Sequence, residues 1–157
     1  MAARMELVAG DAREVLLVVS LDERDAFRDR HRFDAYLPLG GGMDPTWLDF
    51  FAEAVRTVTD QEGPPDFLDA RLELGAPEPA SDITVERVDP GWVDSIARVP
   101  EDALDGIAGR WIDRLEEEFG PIAGEEKPWI REMAGQVVSF CRAADRAPDV
   151  IFLWALR

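Results

Sequence analysis

The sequence has only one cysteine and one histidine in 157 residues, and this shortage limits the chemistry that it can support. A single thiol, Cys141, excludes an internal disulfide and a cysteine-based zinc site. It falls on the apolar face of a predicted helix with Ile130 and Val137, where a thiol acts as a small hydrophobic group. Motifs for phosphate binding, dinucleotide binding, zinc proteolysis and serine hydrolysis are also absent. We therefore predict no catalytic residue, no metal and no cofactor.

Lysine is almost missing as well, since Lys127 is the only one, and the 17 bases face 33 acids for a net charge of −16. Arginine in place of lysine is typical of a GC-rich bacterial genome. A charge of this sign repels nucleic acid and anionic membranes. The longest apolar runs, 15–19 and 150–156, are too short to span a bilayer, and the first twelve residues lack a signal-peptide core. We expect a cytoplasmic protein that binds neither nucleic acid nor membrane.

The pattern of apolar residues predicts an α+β fold with a small mixed sheet of about four to five strands. Two short apolar runs, 14–20 and 149–156, have the composition of strands that are buried on both faces and lie side by side in the sheet centre. Further strands are predicted at 33–39, 70–74 and 83–88, the last two as a hairpin. Residues 1–12 are expected to be a loosely ordered segment at the start of a single acidic domain, 1–157.

Three to four amphipathic helices are expected to cover this sheet, at 45–61, 90–98, 101–119 and 128–146. The helix at 45–61 has the clearest start, because Asp44 is a good N-cap, Pro45 suits the first helical position and Met43 can pack on Leu48. Asp89-Pro90 repeats this signal at the second helix. A short helix is also expected within 21–30.

One basic island interrupts the acidic sequence and consists of Arg24, Arg28, Arg30, His31 and Arg32. Guanidinium groups suit carboxylates and phosphates, and the glycines at 40–42 allow a close backbone approach, so the island is a candidate binding site for an anionic small molecule. The alternative is a solvated surface on which Asp25, Asp29 and Asp34 neutralise the arginines.

An acidic stripe runs along the predicted helix 101–119. A rotation of 100° per residue places its members on the side opposite the apolar face. Its members are Asp102, Asp105, Asp113, Glu116 and Glu117. Such a stripe can receive a basic partner, whereas a cation site is disfavoured because the carboxylates point outward from one helix and lack EF-hand spacing. The alternative is a solvated helix face in an acidic protein.

These features favour a non-enzymatic interaction or regulatory protein, such as an immunity-like protein, whose acidic stripe meets a basic protein. The second hypothesis is a small-molecule-binding protein or enzyme that acts on an anionic ligand at the basic island. A third is a homodimer that pairs through an edge strand at 70–74 or 83–88.

Overall fold

The computed structural model describes residues 3–39, 43, 45–60, 62–65, 67, 72–73 and 83–156. Within them the strands are β1 (Ala3–Gly10), β2 (Ala35–Leu39), β3 (Leu72–Glu73), β4 (Ile83–Arg87) and β5 (Asp149–Leu156). The α-helices are α1 (Ala12–Leu21), α2 (Pro45–Thr59), α3 (Pro90–Ala97), α4 (Leu104–Phe119) and α5 (Lys127–Ala143). Two short 3-10 helices span Arg24–Arg28 and Glu101–Ala103.

The strands form one sheet in the order β2-β1-β5-β4-β3. β1 and β5 pair along their whole length, from Ala3 opposite Leu156 to Gly10 opposite Asp149, so the two ends of the described chain form the sheet centre. This confirms the α+β class and the predicted strand at 149–156. The expectation of a mixed sheet is wrong for the described strands, because every pairing between them is antiparallel.

The predicted strand at 14–20 is wrong, since these residues lie in α1. Asp11 caps this helix by accepting a hydrogen bond from the Arg13 amide at 2.8 Å. The residues that α1 buries are Ala12, Val15, Val18 and Val19, whereas Leu17 and Leu21 remain exposed. These spacings of three and four are those of one helical face, and the N-cap decides between two structures that a short apolar run leaves open.

The segment 1–12, expected to be loosely ordered, instead contributes β1 over Ala3–Gly10. Its side chains alternate between the two faces of the sheet, with Met5, Leu7 and Ala9 in one core and Val8 in the other. Glu6 shares the side of Val8 and is 3% exposed. Because Glu6 is charged but points inward, the alternation of apolar and polar residues that indicates a strand was not recognised in the sequence.

Most other predicted elements are confirmed, with small shifts at their ends. The strands expected at 33–39, 70–74 and 83–88 correspond to β2, β3 and β4, and β3 pairs with β4 as the predicted hairpin requires. The helices expected at 45–61, 90–98, 101–119 and 128–146 correspond to α2, α3, the second 3-10 helix with α4, and α5. Asp89 caps α3 through the Gly91 amide at 2.7 Å, while the predicted cap at Asp44 lies outside the described residues.

Helices cover both faces of the sheet. α1 and the 3-10 helix Arg24–Arg28 pack on one face with Val8, Val85, Ile151 and Leu153. The other four helices lie on the opposite face, where the larger core includes Trp92, Trp111, Phe51 and Phe152. α4 packs mainly against α2 and α5 rather than against the sheet, so it forms the outer side of this layer.

β4 lies between β5 and β3, so the strand predicted at 83–88 is not an edge. Among the described strands the two edges are β3 and β2. A homodimer that pairs through β3, within the predicted 70–74, stays a prediction.

Candidate functional site

The five acids predicted to share a stripe lie along α4 and the 3-10 helix before it, and we call this surface the acidic face. The opposite side of α4 buries Ile107, Ala108, Trp111, Ile112 and Leu115. Trp111 fixes the rotation of the helix, because its ring is fully buried and its Nε1 donates to the Trp47 carbonyl oxygen at 2.9 Å. Burial of this side necessarily turns the acids outward.

Two members of the acidic face already have partners within the chain. Glu117 lies 3.4 Å from the Arg110 guanidinium. Glu116 lies 3.7 Å from Nζ of Lys127 and accepts a hydrogen bond from the Ile122 amide at 3.0 Å. The contacts of Glu116 hold Ile122 and Lys127, which follow α4, against the helix. Glu116 therefore has a structural role that does not depend on a partner.

The other three acids are free within the part of the chain that the structure describes. Asp102, Asp105 and Asp113 are exposed and make no side-chain hydrogen bond or ion pair with any described residue. The cations that lie nearest along α4, Arg110 and Arg114, are both engaged by glutamates. The acidic face therefore carries three carboxylates whose charge the fold does not compensate.

Two glycines lie between these acids on the same side of α4. A Cβ at Gly109 would meet no described atom within 4 Å, whereas one at Gly106 would lie 3.3 Å from Cγ1 of Val58. Glycine inside a helix destabilises it by about 1 kcal/mol relative to alanine. Packing against α2 accounts for Gly106, but no contact within the described chain accounts for Gly109, and the middle of the acidic face is bare backbone.

The acidic face ends beside three aromatic rings, Trp47, Phe50 and Phe119, which we call the aromatic patch. The Phe119 ring is stacked on Trp47 with centroids 6.4 Å apart and lies 6.2 Å from Phe50. Phe119 is 53% exposed. Sequence reasoning placed no candidate surface at these rings and missed the patch. The available signal was position, because Phe119 is the last residue of α4 before Gly120.

Arg114 joins the aromatic patch to the surrounding acids. Its guanidinium lies 4.3 Å from the Phe50 ring centroid. It also contacts carboxylates of Glu53 at 3.2 Å, Glu118 at 3.4 Å and Glu117 at 3.9 Å. Two cations, Arg114 and the Arg110 that pairs with Glu117, thus face three carboxylates, and the rim of the patch keeps a negative balance.

The basic island is built around a buried carboxylate rather than around a cavity. Glu6 accepts a hydrogen bond from the Tyr36 hydroxyl at 2.6 Å and lies 3.3 Å from a guanidinium nitrogen of Arg24. Arg28 lies over the Tyr36 ring, 5.2 Å from its centroid. Burial, with the hydrogen bond to Glu6, raises the pKa of Tyr36 far above its ordinary value. Two of the four arginines are therefore occupied in holding Glu6 and Tyr36.

The remaining members of the island point in different directions. Arg32 pairs with Glu14 of α1 at 3.0 Å. His31 is exposed, and its backbone amide donates to the Asp29 carboxylate. Arg30 lines a shallow groove with Tyr36 of β2 and Gln136 of α5. The structure does not bring the five predicted ligand-binding residues around one cavity, and Gly40–Gly42 lie outside the described residues.

A separate cleft of about 340 Å³ lies between the start of α3 and the loop after α5. Arg87 and Asp149 line it and lie 3.0 Å apart. The other oxygen of Asp149 accepts a hydrogen bond from the Ala12 amide at 3.3 Å. These contacts tie β4, β5 and α1 together, so Arg87 and Asp149 serve the fold.

Cys141 is fully buried, and burial raises the pKa of its thiol. His31 is exposed, so the structure does not pair this thiol with the imidazole. Among the described residues, no group of three or more His, Cys, Asp or Glu side chains could hold a metal ion. None of the described helices has the length and apolar character required to cross a bilayer.

Comparison with known proteins gives no relative from which a role could be transferred. No protein-family model, no curated protein and no solved structure matches this chain.

Proposed function

We propose that this chain is a non-enzymatic interaction protein that binds a basic protein through the acidic face of α4. The observation that carries the proposal is the set of exposed, uncompensated carboxylates of Asp102, Asp105 and Asp113 on α4 and the 3-10 helix before it. Charge complementarity of this kind steers the encounter of two proteins and makes their affinity sensitive to salt.

The shape of α4 also supports this role. Gly109 exposes helix backbone between the acids, so a partner's side chain can approach the helix axis closely. A glycine at this position lowers helix stability and has no packing function in the described chain. Close contact with another molecule at this position would explain why a glycine that lowers helix stability is present.

The finer assignment is a regulatory or immunity-like protein of the bacterial cytoplasm, whose partner carries a basic surface. Such a partner would meet a chain with a net charge of −16, which attracts cationic proteins and repels nucleic acid and anionic membranes. Cys141 is buried in the helical layer, and we assign it no catalytic role.

Affinity capture from a lysate of the source organism tests the proposal. The parent chain is immobilised at low salt beside the Asp102→Asn, Asp105→Asn, Asp113→Asn variant, and both are eluted with a salt step. We expect a basic protein to elute from the parent and to be lost from the variant. Recovery of the same proteins from both would contradict the proposal.

The alternative function, binding or conversion of an anionic small molecule at the basic island, has less support from the geometry. Arg24, Arg28 and Arg32 have partners within the chain, and His31 is exposed. A thermal-shift screen against phosphorylated and carboxylated metabolites tests it, and a shift that Arg30→Gln abolishes would revive it.

A further inference from the structure

The aromatic patch is partly open to solvent. Phe119 is 53% exposed, and Trp47 and Phe50, on which it rests, are only partly buried. Phe119 is the final residue of α4, and the next residue, Gly120, turns the chain away with a φ of 92°. The ring therefore lies at the corner between α2 and α4 with one side open to solvent.

The rim of this patch is acidic, and its acids continue into the acidic face. Glu53 and Glu118 lie beside the patch through their contacts with Arg114. Glu117 belongs both to this rim and to the acidic face, because it contacts Arg110 and Arg114. An aromatic centre with a charged rim is the usual arrangement of the residues that dominate protein interfaces.

Resting on the proposed function, we propose that the aromatic patch is the anchor of the interface and that the partner presents a cationic amphipathic segment to it. An apolar side chain of this segment packs on Phe119 and Trp47, and its lysines or arginines meet Glu53, Glu117 and Glu118. The chain itself provides a precedent, since the Arg114 guanidinium already lies 4.3 Å from the Phe50 ring centroid. The charge balance of the rim selects a basic segment over an acidic or a neutral one.

Two synthetic peptides of equal length and equal positive charge serve as probes. The polar peptide alternates lysine with serine, and the amphipathic peptide carries leucine in place of half of the serines. Each is titrated by fluorescence anisotropy into the full-length parent, Phe119→Ala and Phe119→Tyr. Leu21→Ala is the matched control, because Leu21 is 56% exposed but lies on α1, across the sheet.

We expect the parent to bind the amphipathic peptide more tightly than the polar one. Phe119→Ala should lower the affinity for the amphipathic peptide at least about tenfold, as truncation of an interface anchor does. The affinity for the polar peptide should not change. Phe119→Tyr and Leu21→Ala retain the parent affinity for the amphipathic peptide. Circular dichroism of each variant confirms that its fold is kept.

Equal affinity of Phe119→Ala and the parent for the amphipathic peptide would overturn the anchor. If the polar peptide still bound in a salt-dependent way, the acidic face would remain the binding surface without it. Failure of both peptides to bind the parent would overturn the anchor and the proposed function together. An equal loss in Leu21→Ala would show that leucine adheres to any exposed apolar side chain, and that would also overturn the anchor.

Discussion

The Tyr36 hydroxyl donates a hydrogen bond of 2.6 Å to the Glu6 carboxylate, which is the one buried charged side chain in the described residues. The contact joins the edge strand β2 to the central strand β1, where Tyr36 is the register partner of Val8. Phe27 of the first 3-10 helix is stacked on the Tyr36 ring with centroids 5.6 Å apart. Two members of the basic island, Arg24 and Arg28, thus owe their positions to one buried carboxylate and the tyrosine that satisfies it.

Tyr36→Phe removes this hydrogen bond and leaves the ring packing in place. We expect the free energy of unfolding to fall by about 1.5–3 kcal/mol, the usual range for a hydrogen bond to a charged group. Urea denaturation checks the value, and a double-mutant cycle with Glu6→Gln separates the pair from its surroundings. A variant as stable as the parent would mean that Arg24 alone satisfies Glu6.

Stability should decline in alkali, and the sign follows from the raised pKa of Tyr36. In the folded state the phenol stays protonated, whereas in the unfolded state it ionises near its ordinary pKa of 10.0. The folded state therefore binds more protons above that pH, and the free energy of unfolding falls as pH rises. Burial raises the pKa of Cys141 and adds a loss of the same sign from its ordinary value of 9.0.

Tyr36 is the only tyrosine, so its titration can be followed directly. The near-ultraviolet absorbance of tyrosinate should appear only as the protein unfolds, and Tyr36→Phe should flatten the decline of stability above its ordinary pKa. Ionisation of Tyr36 near pH 10.0 with the fold intact would contradict the buried hydrogen bond.

Cys141 should behave as an inert core residue. Because its side chain is fully buried, a thiol reagent should label it at a rate that rises with urea and follows unfolding. Cys141→Ser should destabilise the fold by about 1–3 kcal/mol, since it buries a hydroxyl group. Cys141→Ala, which adds no polar atom, should cost less than the serine variant. Rapid labelling of the native protein would show that the helical layer opens locally.

Gly109→Ala tests whether Gly109 has a packing role within the chain. The new Cβ meets no described atom within 4 Å, so the helix should gain about 0.5–1 kcal/mol. Gly106→Ala is the matched control and should gain less, because its Cβ lies 3.3 Å from Val58. Thermal denaturation gives the order of the two. A loss of stability in Gly109→Ala would indicate a contact that the described residues do not make.

Sequence reasoning succeeded where local signals were strong. The Asp89-Pro90 start of α3 and the apolar stripes of α4 and α5 could be read from spacing alone. The acidic face followed from the same geometry, because burial of Trp111 and Leu115 leaves only one side of α4 for the acids.

The failures came from long-range contacts. Glu6 is buried only because Arg24 and Tyr36, distant in sequence, reach it, so β1 could not be recognised from its own residues. The run at 14–20 fits a strand or a helix equally until the cap at Asp11 is considered. The aromatic patch depends on how α2 crosses the end of α4, and no local pattern specifies that.

The most direct test of the account is whether a cationic peptide binds at the acidic face or is attracted by the net charge of the whole chain. The lysine–serine peptide is titrated into the parent and into the Asp102→Asn, Asp105→Asn, Asp113→Asn variant. The control, Glu23→Gln, Asp25→Asn, Asp34→Asn, removes the same charge from exposed acids near α1. We predict that neutralising the acidic face weakens binding at least about threefold and flattens its salt dependence, while the control variant binds as the parent does. Equal losses in both variants would contradict a localised site and would make the acidic face a solvated surface.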